Sequence, residues 1–302
     1  MTKNNFKGCL ILALTSFIWG AAFVAQSVSM EHIGPFTFNF CRSILGMSVL
    51  FPITLLFGNK EKRPTLNGYK SKKLFLAGCL SGVFLFAAMN FQQFSMYGSS
   101  ATTPGKCAFV TAMYIVFSPV LGIFLGKRPG INVWLGISVG IVGLYLLCMG
   151  GESGIVLGDI LSLFCAFLFS FQILTIDKFS TEVDCIKMSC IQFGVCTLLS
   201  LPFMIITETP SLTAIWDCRI PILYTGVLSS ALAYTLQIVG QKYADVTPAT
   251  LTMSFESVFA ALAGWVILKD SMDLREILGC ILIFAAVVIS QITLKKKSAS
   301  KH

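Results

Sequence analysis

Charge is what this sequence has least of. Only 12% of its 302 residues are charged, against about 25% in an ordinary soluble domain. Histidine is nearly absent: His32 sits in a short loop and His302 ends the chain, so no histidine metal site can be assembled. The eleven cysteines form no CxxC pair and no loop framework. Most, among them Cys9, Cys41, Cys79, Cys107, Cys165, Cys190 and Cys280, lie in apolar runs, where cysteine serves as a small apolar filler. No GxSxG, HExxH or phosphate-binding glycine loop occurs, and no apolar run holds a carboxylate pair. These absences leave little material for enzyme chemistry, and no cofactor is called for.

What the sequence does have is grease in blocks. Hydrophobic residues make up 55% of the chain and the mean hydropathy is +0.81. Ten runs stand out: about 8–29, 35–57, 74–97, 103–125, 131–149, 157–177, 185–206, 218–240, 247–267 and 273–294. Each approaches the roughly 20 residues that cross a bilayer as a helix. They lack the alternation of barrel strands, so the expectation is a helical multispan membrane protein. The first run is too long for a cleaved leader and reads as a retained helix.

The net charge of +8 orients the chain rather than pointing to nucleic acid. With the N-terminus in the cytoplasm, only Arg219, Lys269 and Arg275 fall outside, while the other loop Lys and Arg residues fall inside. That is the positive-inside pattern, and it puts both termini in the cytoplasm of a plasma-membrane protein. The Lys295–Lys297 run becomes a flank of the last span, within reach of anionic lipid.

An internal repeat organises the runs. A slide of 150 residues brings Trp19-Gly20 onto Phe169-Ser170 and Pro52 onto Pro202. A slide of 144 brings Gln93 onto Gln237 and Thr103-Pro104 onto Thr247-Pro248. The offset changes mainly at one connection, the longer basic loop at 58–73. Two units follow, residues 1–149 and 150–302, with five spans each. An odd count turns the second unit over in the membrane. The expected fold is therefore an all-α membrane protein of ten transmembrane helices in two inverted five-helix repeats, an architecture used by transporters.

Four stretches carry a family likeness: "SFIWGAAFVAQ" (16–26), "FCRSILGMSVLF" (40–51), "TTPGKCAFVTAMYIVFSPVLGIFLGKRP" (102–129) and "SFESVFAALAGWVILKD" (254–270). With the glycine openings "WLGISVGIVG" and "ILGCILIFAA", the chain resembles the EamA family of the drug/metabolite transporter superfamily. The resemblance implies a ten-helix exporter or exchanger with a central cavity between spans 1–4 and 6–9. Spans 5 and 10 would be peripheral. Where many members carry a Glu after the fourth span, this chain has Lys127, and Asp270 stands at the matching place after the ninth.

Candidate site residues come from the polar exceptions inside the runs. Spans 4 and 9 both open on Thr-Pro, with Pro104, Gly105 and Pro248 as candidate break or hinge positions. Those residues suit either a transport site or two well-made helix starts. Lys106 stands in the first turn of span 4, badly placed against the helix dipole. It either meets an anionic visitor or snorkels into outer water. Arg42 lies roughly 10 Å into span 2 and should face the bundle, attracting cargo or tying off carbonyls or Glu256.

Glu256 is the one acid deep in a span, suited to carrying a proton or to holding Arg42, whereas Asp159 and Asp177 read as interfacial. Asn90 and Gln93 on span 3, and Tyr234 and Gln237 on span 8, form three-apart polar pairs on one helix face. They suit cargo contact or interhelical bonding equally. Trp19 and Tyr114 could supply aromatic walls or simply pack. The expected partners are a small organic cargo bearing a carboxylate, such as an amino acid, and the bilayer. A polytopic enzyme or a non-transporting scaffold are the alternatives. Gly136, Gly140 and Gly143 on span 5 would serve a dimer contact or an internal one, leaving the oligomer open.

Overall fold

The computed structural model describes residues 3–56, 71–127, 129–148, 155–263 and 274–291. Among them the chain is all helix and turn, with no strand. In order come α1 (Lys3–Ser29), α2 (Pro35–Leu56), α3 (Lys72–Ser95), α4 (Pro104–Thr111), α5 (Tyr114–Phe124), α6 (Ile131–Cys148), α7 (Leu157–Phe179) and α8 (Cys185–Thr207). Then follow α9 (Leu212–Asp217), α10 (Arg219–Leu223), a π-helix (Tyr224–Ala233), α11 (Tyr234–Tyr243), α12 (Val246–Met253), α13 (Phe255–Ala263) and α14 (Leu274–Gln291).

Eight helical stretches are long and apolar enough to cross a membrane, and two further apolar helices, Ile131–Leu146 and Ile277–Ser290, are shorter. The basic loop at 57–70, the junction at 149–154 and Asp270 lie outside the described residues. Helix starts follow local chemistry. Ser71 accepts from Leu74 N–H, and Asp184 accepts from the N–H groups of Ile186 and Lys187, satisfying donors that a first turn leaves orphaned.

The expected starts of spans 4 and 9 come out differently. Thr103 caps α4 by accepting from Lys106 N–H, with Pro104 in the first helical position. In α12, Asp245 occupies the cap position, so Pro248 stands third rather than first. Neither proline breaks its span. Both spans instead break after eight helical residues, at Ala112–Met113 between α4 and α5 and at Ser254 between α12 and α13.

Tight i→i−3 bonds mark both breaks: Met113 N–H to Val110 O and Ile115 N–H to Ala112 O in one, Ser257 N–H to Ser254 O in the other. The carbonyls freed at the second break find a partner in α1, where the Ser16 hydroxyl lies 3.0 Å from Thr252 O and 3.1 Å from Met253 O. Hydroxyls competing for helix carbonyls weaken the regular ladder there as well, with Thr252 Oγ1 donating to Pro248 O and Ser254 Oγ to Leu251 O.

The broken spans cross at their breaks: α4 packs on α13 and α5 on α12. The crossing is tied by Ser257 Oγ donating to Ala108 O at 3.3 Å. α1 can lie against α13 because Gly20 has no side chain; a Cβ there would sit 2.8 Å from the backbone of Phe259 and Ala260. α6 and α14 run along one another to the side of this crossing. Gly136 and Gly143 face α14 closely, where a Cβ would stand 2.9 Å from Ala286 O and Gly279 O respectively. The small-residue stripe of span 5 therefore makes an internal contact.

Candidate functional site

The two breaks open onto one cavity. Thr111 and Tyr114 flank the first break, Met253 and Glu256 the second, and all four line it. α1 contributes Trp19, Ala22, Phe23 and Gln26; α2 contributes Arg42; α3 contributes Gln92. The rest of the lining is Phe169 and Ile173 of α7, Ser229 of the π-helix, and Tyr234 and Gln237 of α11. None of its lining comes from α6 or α14.

Arg42 is 2% exposed. Its Nε donates to Ser230 Oγ at 3.2 Å, Nη1 to Gln26 Oε1 at 3.1 Å, and Nη2 to Ser229 Oγ at 3.0 Å. All three acceptors are neutral, and among the described residues no carboxylate pairs with it. A guanidinium has five N–H donors, so one on each terminal nitrogen stays unused. The π-helix carries both serines to this place, and such helices concentrate at functional positions.

Glu256 does not answer Arg42. Its Oε1 accepts from Tyr114 OH at 2.9 Å, linking the two breaks directly. Of the aromatic wall, Trp19 and Tyr234 touch with ring centroids 4.7 Å apart and planes tilted by 55°. Trp19 Nε1 is buried without a hydrogen-bond partner, and the residue lines the cavity.

Lys106 lies elsewhere. It is 5% exposed and ion-paired at 2.7 Å with Asp159, the first acid of α7. Asp159 also accepts from Thr102 Oγ1 at 2.6 Å and from Val156 N–H at 3.0 Å. Asp159 stands at the start of its span, as expected, but is buried there, and one expectation is corrected: the anion meeting Lys106 belongs to the chain itself. Asp177 does sit at the end of α7, where it pairs with Lys127.

Asn90 also stands apart from the cavity, accepting from Asn39 Nδ2 at 3.1 Å and donating to Phe86 O. Gln93 is fully buried but does not line the cavity; its neighbour Gln92 does. Matched contacts explain that one-residue error. Gly82 lies against Val195 and Gly226 against Leu45, so Gly82 and Gly226 match at an offset of 144. Past the π-helix, Ser95 O lies against Gly158 and Gly240 O against Gly8, an offset of 145. The wider π turn takes up one residue, so the partner of Gln237 shifts from Gln93 to Gln92. Gln26, Gln92 and Ser229 are thus cavity residues that sequence reasoning passed over; polar residues in apolar runs were the available signal.

The profile of the EamA-like transporter family matches residues 6–149 and 156–291. The chain belongs to this family, within the drug/metabolite transporter superfamily. The EamA protein is similar to an uncharacterized transporter of Archaeoglobus fulgidus, at 30% identity over 92% of this chain and 83% of that one. It is also similar to the uncharacterized transporter YdfC of Bacillus subtilis, at 20% identity over 98% and 94%. A crystal structure at 17% identity shares the fold, with a TM-score of 0.74 over 94% of this chain and 96% of that one. The EamA protein is a multi-pass membrane transporter.

Proposed function

We propose that this EamA protein moves small organic metabolites bearing a carboxylate, amino acids among them, by alternating access around the cavity between the two breaks. The observation that carries this reading is Arg42, a buried cation on the cavity wall whose bonds go only to neutral groups. A charge buried in a membrane protein is costly unless paired or put to use, and a cargo carboxylate would supply the missing partner. The cargo's apolar body would lie against Trp19, Phe169 and Tyr234. Glu256, bonded to a phenol rather than a cation, can take or release a proton without breaking an ion pair, which fits proton coupling.

In this reading the chain holds ten spans in two inverted five-helix units, 1–149 and 150–302, and exports or exchanges its cargo across the plasma membrane. The break-for-break match of α4–α5 with α12–α13 supports the two units. The positive-inside pattern supports cytoplasmic termini. In a background without native cysteines, a cysteine replacing exposed His32 should label from outside sealed cells and one replacing exposed Thr181 should not. The reverse result would invert the topology.

Counterflow in liposomes tests the cargo class. The parent protein should exchange carboxylic acids well ahead of their amides, and Arg42→Gln should remove that preference. Loss of one hydrogen-bonded charge partner implies a fall of roughly tenfold or more for the acids. Equal losses for acids and amides, with less folded protein, would instead make Arg42 a structural residue.

A further inference from the structure

The two halves treat one position in opposite ways. In the second half, the Gln172 carboxamide is held by Gln237 through two reciprocal bonds of 3.2 Å, and its Nε2 donates to Gln192 Oε1 at 3.3 Å. These bonds join three amides across α7, α8 and α11, with Gln192 Nε2 left without a partner among the described residues. The offsets of 150 and, beyond the π-helix, 145 carry these three positions to Ala22, Arg42 and Gln92 of the first half. All three line the cavity. The long amide of Gln172 is thus replaced by the methyl of Ala22. Its two neighbours are left facing the place where that amide would be. Arg42 keeps two unused N–H donors, and the Gln92 side chain has no hydrogen-bond partner among the described residues.

We infer that the cargo's head group sits in this vacated place, over Ala22 and between Arg42 and Gln92, as Gln172 sits between Gln192 and Gln237. The inference rests on the carboxylate reading above and makes it specific. A planar group of carboxamide shape is what the second half accommodates. Exchanging one glutamine neighbour for a buried arginine changes the complementary occupant from a neutral amide to an anion of the same shape, a carboxylate. Its two oxygens accept from the free terminal N–H groups of Arg42 in the forked geometry that guanidinium favours, and one accepts a further bond from Gln92 Nε2. Gln92 is then a specificity-determining residue and Ala22 the residue that leaves the seat open. Gln26, Ser229 and Ser230 position the guanidinium by occupying its other donors.

The test fills the seat from within. Purified full-length protein is titrated with 3-phenylpropanoate and with 3-phenylpropanamide, following the thermal midpoint, because a ligand bound only by the folded state raises it. The parent should bind the acid about tenfold or more tighter than the amide, as expected for hydrogen bonds to a charged group. Ala22→Gln should abolish acid binding without lowering the unligated midpoint, since the new carboxamide meets Arg42 and Gln92 where Gln172 meets Gln192 and Gln237. Gln92→Met, which adds no bulk, should weaken the acid roughly tenfold and the amide less. If Arg42→Gln removes the acid preference while Gln92→Met leaves acid affinity unchanged, the seat is wrong whatever Ala22→Gln does. Undiminished acid binding by folded Ala22→Gln also overturns it. A parent protein with no acid preference would instead overturn the carboxylate reading beneath it.

Discussion

Glu256→Gln is expected to abolish accumulation driven by a pH gradient while cargo exchange continues near the parent rate. The carboxyl is 5% exposed, two residues past the break at Ser254, and its described partner is the hydroxyl of Tyr114. Glutamine keeps the size of the protonated acid and still accepts from Tyr114, so the local packing and the contact between the breaks survive. What disappears is the group that, in the proposed coupling, gains and loses the proton. Because Tyr114 and Glu256 belong to the two crossing spans, a proton gained or lost at this carboxyl alters the contact that joins them, which is how a proton could bias the cavity's access. Liposomes with and without an imposed pH gradient, assayed beside exchange at equal pH, separate the two outcomes. Full gradient-driven accumulation by the variant would exclude Glu256 as the proton carrier. Loss of exchange as well would make it a cargo contact.

Lys106→Met should destabilise the protein by about 3–5 kcal/mol, the usual cost of removing one partner from a buried ion pair. Lys106 and Asp159 are 5% and 9% exposed in their side chains and tie the start of α4 to the start of α7. Removing the lysine strands a buried carboxylate with only Thr102 and Val156 N–H for company. The double variant Lys106→Met/Asp159→Leu should recover most of the loss, because an apolar pair of similar volume replaces a buried ion pair at little cost. Unfolding of the parent, both single variants and the double variant gives the coupling directly. Additive losses would mean that the two side chains act independently. The acid-over-amide preference in counterflow should persist in Lys106→Met if this pair is structural, which is where it differs from Arg42→Gln.

Much of the fold is legible in the residues because lipid removes choice. A backbone in hydrocarbon must bond to itself, so blocks such as 35–57 and 185–206 could become little else than helices. They appear as α2 and α8 within a residue or so of those bounds. Arg42, Trp19, Tyr114, Tyr234, Gln237 and Glu256 were visible as polar or aromatic exceptions in those blocks, and all six line the cavity.

The remaining candidates show where one-dimensional reading gives out. A charge in a run announces that it needs a partner, but the partner of Lys106 is more than fifty residues away, on a helix whose approach depends on packing. Pro104, Gly105 and Pro248 look like break signals, yet the breaks fall at Ala112–Met113 and at Ser254, and at the second of these serine and threonine hydroxyls and a contact from α1 compete for carbonyls.

By itself, then, the sequence determined the helices, their membrane-crossing character and the cation and acid that make the cavity unusual, since hydropathy and charge scarcity act locally along the chain. The tertiary structure alone decided who faces whom. It paired Lys106 with Asp159, Glu256 with Tyr114 and Arg42 with neutral acceptors, and on α3 it turned Gln92 rather than Gln93 to the cavity. The physical reason is that side-chain facing depends on helix rotation. Successive residues of a helix point about 100° apart, so of the neighbours Gln92 and Gln93 on α3 only one lines the cavity.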